Sequence, residues 1–193
     1  MNLRDTILAE HSKAQANRII KWVGKSQERF DQLFDLFLNG EDLITQRAGW
    51  PMSYLVSSHP EFISKHFNKL LKNLKKPNLH NAVKRNTVRL LQDISIPKRF
   101  HGDVMNTCFE YILDPAEKVA VKAFSLSVLR NLSQQYPEIL PEIRTIIEQR
   151  WEHESTAFKS RAKKLLENWT PVQFLRHKMN EKCMEMNEDA LFI

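Results

Sequence analysis

The stretch AVKRNTVRLLQDIS at 82–95 returns 38 residues later, at 120–133, as AVKAFSLSVLRNLS. A shorter echo, KSRAKKLLENW, occupies 159–169. Lys84, Lys122 and Lys159 head the three copies, 38 and 37 residues apart, and Leu90-Leu91, Val128-Leu129 and Leu165-Leu166 fill their interiors. A repeat of this length, with helical spacing inside each copy, constrains the fold strongly. Each unit is a helix pair that cannot bury its apolar face alone, so consecutive pairs must stack to supply a core. The expected fold is an all-α solenoid.

A second set of stripes runs between the copies. Phe30, Leu33, Phe34 and Phe37 are spaced i, i+3, i+4 and i+7, one face of a helix. Phe67, Leu70, Leu71 and Leu74 repeat that set 37 residues later, and Met105, Cys108, Phe109 and Ile112 repeat it again. Residues 2–23 read as one leading helix ended by Gly24, and Asn39-Gly40 marks a further helix stop. Gly49-Trp50-Pro51 predicts a kinked or split helix, because an interior proline removes a donor and crowds the preceding turn. After the His59-Pro60 turn, 61–74 reads as a single helix. Asp114-Pro115 reads as a helix start, with Asp as cap and Pro at the first helical position. The helix expected over 115–134 is apolar nearly all round and belongs at the centre of the stack. Pro137 and Pro141 open the next helix. The sum is one leading helix plus about four helix pairs, at 26–57, 60–95, 99–134 and 137–169. Residues 170–193 lose the register and read as a cap or a partly flexible tail, with one further helix expected over 172–186.

Only four glycines occur, and neither strand-like alternation nor Asn-Gly hairpin signals are present. The two cysteines, Cys108 and Cys183, stand far apart and match no metal-ligand or disulfide spacing, which favours a reducing compartment. The opening residues carry charges where a signal peptide would be apolar, and no run approaches the ~20 apolar residues of a membrane span. A cytoplasmic protein is expected, without membrane association and without a cofactor or metal. Net charge is +6, yet 65–99 holds ten basic residues against one acid, Asp93. Such an imbalance bears on polyanion binding rather than on fold.

In period and composition, 1–169 resembles the HEAT/armadillo-like repeat family. Second helices of that family commonly begin with Asp, then Val-Arg and a small residue. Asp114-Pro115 followed by Val121-Lys122-Ala123 is similar, though Lys122 lies two positions late. Gln46-Arg47-Ala48 is a partial match, and Lys84-Arg85-Asn86 lacks the small residue. The resemblance implies a right-handed α-α superhelix whose second helices line the concave surface. It then places Lys84, Arg85, Arg89, Lys122, Arg130, Lys159 and Lys163 along one basic groove, with Lys84, Lys122 and Lys159 as a ladder across three repeats. Either the ladder contacts a polyanion or acidic peptide, or its members bond to loops and pair with neighbouring acids.

A more distant resemblance, in repeat length and basic character, is to the HEAT-like DNA alkylation repair proteins. These use exposed tryptophans and a carboxylate close to the lesion. Here Trp22, Trp50, Trp151 and Trp169 are scattered and no Trp-Trp-Asp cluster forms. Trp50, beside Pro51, is either an aromatic binding anchor or an irregular packing joint. Lys65, Lys69, Lys72 and Lys76, at i, i+4, i+7 and i+11, form a stripe that is either a phosphate contact or a solvated face. Glu152-His153-Glu154 lacks the second histidine of a metal site, Ser125 and Ser127 lack a nucleophile elbow, and there is no glycine-rich phosphate loop. No catalytic constellation emerges. The sequence thus points to a non-catalytic binding module with a protein partner, and alternatively to a nucleic-acid-binding solenoid.

Overall fold

A computed structural model describes residues 1–166. The expected 172–186 helix, the 170–193 tail, Trp169 and Cys183 lie outside the described residues. Among the described residues all regular structure is helical. Eleven α-helices follow in order: α1 (Leu3–Ala9), α2 (Lys13–Val23), α3 (Gln27–Asn39), α4 (Asp42–Ser58), α5 (Glu61–Ser64), α6 (Phe67–Leu74), α7 (Asn81–Leu91), α8 (His101–Leu113), α9 (Val119–Ser133), α10 (Leu140–Arg150) and α11 (Thr156–Leu165). Short 3-10 turns precede α8 and α10 and follow α10.

The repeated stripes become the core. Phe30, Leu33, Phe34 and Phe37 of α3 are buried, as are Phe67, Leu70, Leu71 and Leu74 of α6. Cys108 and Ile112 of α8 are buried beside the half-buried Met105 and Phe109. Each large apolar side chain removed from water contributes about 1.5–3 kcal/mol, so these stripes direct how the helices stack. The second helices α4, α7, α9 and α11 touch in succession and form one layer. The first helices α3, α5–α6, α8 and α10 form the other, with α3 on α4, α6 on α7 and α8 on α9. Helix α9 contacts α7, α8 and α11, which accounts for its apolar circumference. The chain is an all-α solenoid.

Four local expectations are corrected. Residues 2–23 form two helices, not one, because Ser12 caps a fresh start and accepts a hydrogen bond from Gln15 N at 3.1 Å. Of the kinked or split helix expected at Pro51, the split does not occur, and α4 is continuous from Asp42 to Ser58. Its flanks are held by α1, α2, α3 and α7, and that packing outweighs the one backbone bond lost to proline. Gly49 permits the close approach to α7, since a Cβ there would collide with the Asn86 side chain. The 61–74 helix is interrupted at Lys65-His66, where His66 turns inward. Its Nε2 lies 2.6 Å from Asp31 Oδ1 and its ring stacks on Phe34 at 4.2 Å. Finally, Asp114 closes a turn by accepting from Ala116 N at 2.8 Å, and α9 begins only at Val119.

Candidate interaction surface

The repeat that brings Lys84 and Lys122 into register also supplies each with a carboxylate from the next helix pair. Lys84 Nζ on α7 donates to Glu117 Oε2 at 2.8 Å, in the loop that leads into α9. Lys122 Nζ on α9 donates to Glu154 Oε1 at 2.7 Å, in the loop that leads into α11. Glu117 and Glu154 are buried, and Lys122 is only 4% exposed. Burial pushes the Glu154 carboxyl up. Hydrogen bonds from Lys122 and Arg150 outweigh this and hold it below the usual carboxylate range. Arg150 approaches the same oxygen through Nε at 2.9 Å and Nη2 at 2.8 Å, while its Nη1 donates to Leu113 O at 2.9 Å. These pairs join neighbouring repeats. An enclosed, neutralised Lys122 presents no charge to a groove, so it is removed from the basic surface, and Lys84 is half-buried and paired.

The remaining candidates differ in their surroundings. Lys159, half-buried, places Nζ 5.7 Å from the centre of the Trp151 ring, within the range of a cation–π contact. Arg85 is half-buried, whereas Arg89 and Lys163 are exposed. Arg130 is half-buried and lines a recess of about 240 Å³ with Gln92, Asp93, Ser127, Asn131, Arg161 and Lys164. Arg161 crosses that recess, donating to Ser127 Oγ at 2.5 Å and Gln92 Oε1 at 3.2 Å. The positive charge of the second helices is thus interrupted by Glu117, Glu154 and Asp93.

Helix α4 carries a different surface. Leu43 is 45% exposed and Tyr54 is 50% exposed. They are eleven residues apart, about three turns, and Trp50 falls between them, seven after Leu43, so all three share one side of the helix. Trp50 is half-buried, its ring 5.6 Å from that of His11. The neighbouring Arg47 points into the fold and its Nη1 donates to Leu8 O at 2.6 Å, closing the end of α1. Trp22 and Trp151 lie elsewhere, Trp22 under the guanidinium of Arg29 at 5.3 Å. The described tryptophans therefore form no joint cluster.

The sequence allowed that the ladder pairs with neighbouring acids, but reading it for like residues did not identify those acids as Glu117 and Glu154. The available signal was a recurrence of opposite charge: the two glutamates are 37 residues apart and follow their lysines by 33 and 32. Asp31 and His66 also escaped notice, because their contact spans two repeats and matches no motif.

A family model described as HEAT repeat domain matches residues 3–169. Comparison with curated proteins and with solved structures finds no match. Among the described residues no helix is long and apolar enough to cross a membrane. The tandem helix pairs, the period of 37–38 residues and the extent of the match agree, and the chain belongs to the HEAT repeat family.

Proposed function

We propose that the chain is a non-catalytic interaction scaffold that holds a protein partner on its second-helix layer. HEAT repeats form helical scaffolds commonly used for protein interaction, which supports this reading. The observation that carries it is the stripe on α4 formed by exposed Leu43 and Tyr54 with half-buried Trp50 between them. An aromatic and aliphatic strip beside polar and cationic side chains has the character of a protein interface, with apolar anchors at its centre and charge at its rim. The adjoining α7 carries half-buried Arg85 and exposed Arg89 in the same layer. A nucleic-acid contact would instead require continuous positive charge, and two of the three ladder lysines face buried carboxylates.

Affinity capture with the wild-type chain and with a Leu43→Asp/Tyr54→Asp variant tests the reading. A protein retained by the wild type and lost from an equally folded variant is the expected result. Anisotropy with labelled duplex DNA, single-stranded DNA and RNA, at about 50 and 200 mM salt, supplies the contrary arm. Tight, salt-sensitive binding that falls on reversing Arg85, Arg89 and Lys163, and is untouched by the α4 variant, would overturn the proposal for the nucleic-acid alternative.

A further inference from the structure

On the other layer, a groove of about 570 Å³ runs between α3 and α6. Asp31, Asp35 and Asn39 stand on the α3 side, Lys65, Lys69, Lys72 and Lys76 on the α6 side. The lysine stripe legible in the sequence thus forms the wall of a recess instead of an isolated helix face. Its charges are not equivalent. Lys65 Nζ donates to Asp31 Oδ2 at 2.6 Å, and Asp31 also receives Gln27 and His66. Asp35 accepts from Asn39 Nδ2 at 2.8 Å. Lys69, Lys72 and Lys76 are exposed and have no carboxylate partner among the described residues.

Asn73 lies among these lysines and lines the same groove. It is 3% exposed, and both its Nδ2 and its Oδ1 lack a hydrogen-bond partner within the described residues. A buried amide with donor and acceptor both unused is uncommon in a folded protein and calls for a specific account. An amide side chain offers the complement of a peptide group, one donor for its carbonyl and one acceptor for its N–H. We infer that the α3–α6 groove is a second binding site, which takes an extended acidic segment of a protein partner. Asn73 pairs with one peptide group of that segment, and Lys69, Lys72 and Lys76 neutralise its carboxylates.

The groove favours an acidic peptide over a nucleic acid for two reasons. Asp31 and Asp35 face the lysines, and a chain with a phosphate on every nucleotide would bring charge against them, whereas a peptide can space its carboxylates onto the lysine side alone. The aromatic ring that lines it, Phe34, is already covered by His66 and offers no face on which a base can stack. The site is independent of the α4 stripe.

The test uses the full chain and an array of extended peptides of about a dozen residues, each carrying several glutamates, with Glu→Gln counterparts, at low salt where charge pairing is strongest. The expected result is retention of a subset of acidic peptides and of none of their neutral counterparts. Affinity for the retained peptides should fall at least about tenfold in Lys69→Glu/Lys72→Glu, and clearly in Asn73→Leu. The same peptides should shift the Asn73 side-chain amide resonances in a ¹⁵N spectrum, a readout that needs no variant to fold. Leu43→Asp/Tyr54→Asp should bind them as the wild type does, which separates this site from the α4 surface. Retention of no acidic peptide by the wild type overturns the inference. So does equal binding by Lys69→Glu/Lys72→Glu, or binding of single-stranded RNA lost in that variant without binding of any peptide.

Discussion

Replacing Glu154 with leucine removes the carboxylate that neutralises Lys122 and anchors Arg150. Lys122 is 4% exposed, and its ammonium would remain enclosed with its partner gone. Breaking a buried pair from one side costs about 3–5 kcal/mol, because the stranded charge keeps its desolvation penalty. Lys122→Met should cost less, about 1–2 kcal/mol, since Glu154 keeps two hydrogen bonds from Arg150. In Lys122→Met/Glu154→Leu no ammonium is left stranded, so the double variant should be more stable than Glu154→Leu alone. The expected coupling is about 2 kcal/mol or more. Urea denaturation at neutral pH, followed by far-UV circular dichroism, measures all four corners of the cycle. The acid limb gives a second check. Glu154 has a folded pKa below its ordinary value, so its contribution is fully present above about pH 4.3. That contribution is lost as pH falls through the lower folded pKa, and Glu154→Leu should therefore flatten the acid-induced loss of stability. Additive single effects, or a Glu154→Leu cost within the ~0.5 kcal/mol of a surface change, would refute the reasoning.

Two further outcomes follow from the packing. Gly49→Ala should destabilise by about 1–3 kcal/mol, because the new methyl group meets Asn86 where α4 crosses α7. Asn86→Ala in the same chain should recover much of the loss by thermal denaturation, since Asn86 Nδ2 has no partner among the described residues to forfeit. Cys108 is fully enclosed, and burial pushes its thiol up to about 12. In a Cys183→Ser background a thiol reagent near pH 8 should modify Cys108 only at the rate of unfolding. Rapid modification of the native chain would contradict the burial.

Much of this solenoid was written in its periodicity. The buried apolar residues of α3 and α6 are the eight positions that the 37-residue recurrence picks out, because a helix with one apolar face can remove it from water only by stacking. The misjudged details share one cause. Ser12, Pro51 and the Asp114-Pro115 pair carry local signals, and local signals compete with packing. Ser12 prevailed, as a cap on an exposed turn. Pro51 did not split its helix, which four others flank, and Asp114 closed a turn that leads toward buried Glu117. The basic residues show the same division. Period alone aligned Lys84, Lys122 and Lys159, but alignment in sequence does not say what stands opposite.

The sequence by itself determined the all-helical repeat, its register and the residues that form the core, because helical periodicity and apolar burial are properties of the chain read in order. Only the tertiary structure decided the fate of the charges. Lys122 meets Glu154 across a repeat boundary, and Lys69, Lys72 and Lys76 line one groove with a buried Asn73 that has no partner among the described residues. Whether a cation stabilises the fold or awaits a ligand depends on distances of a few ångströms to groups more than thirty residues away, and no local pattern encodes them.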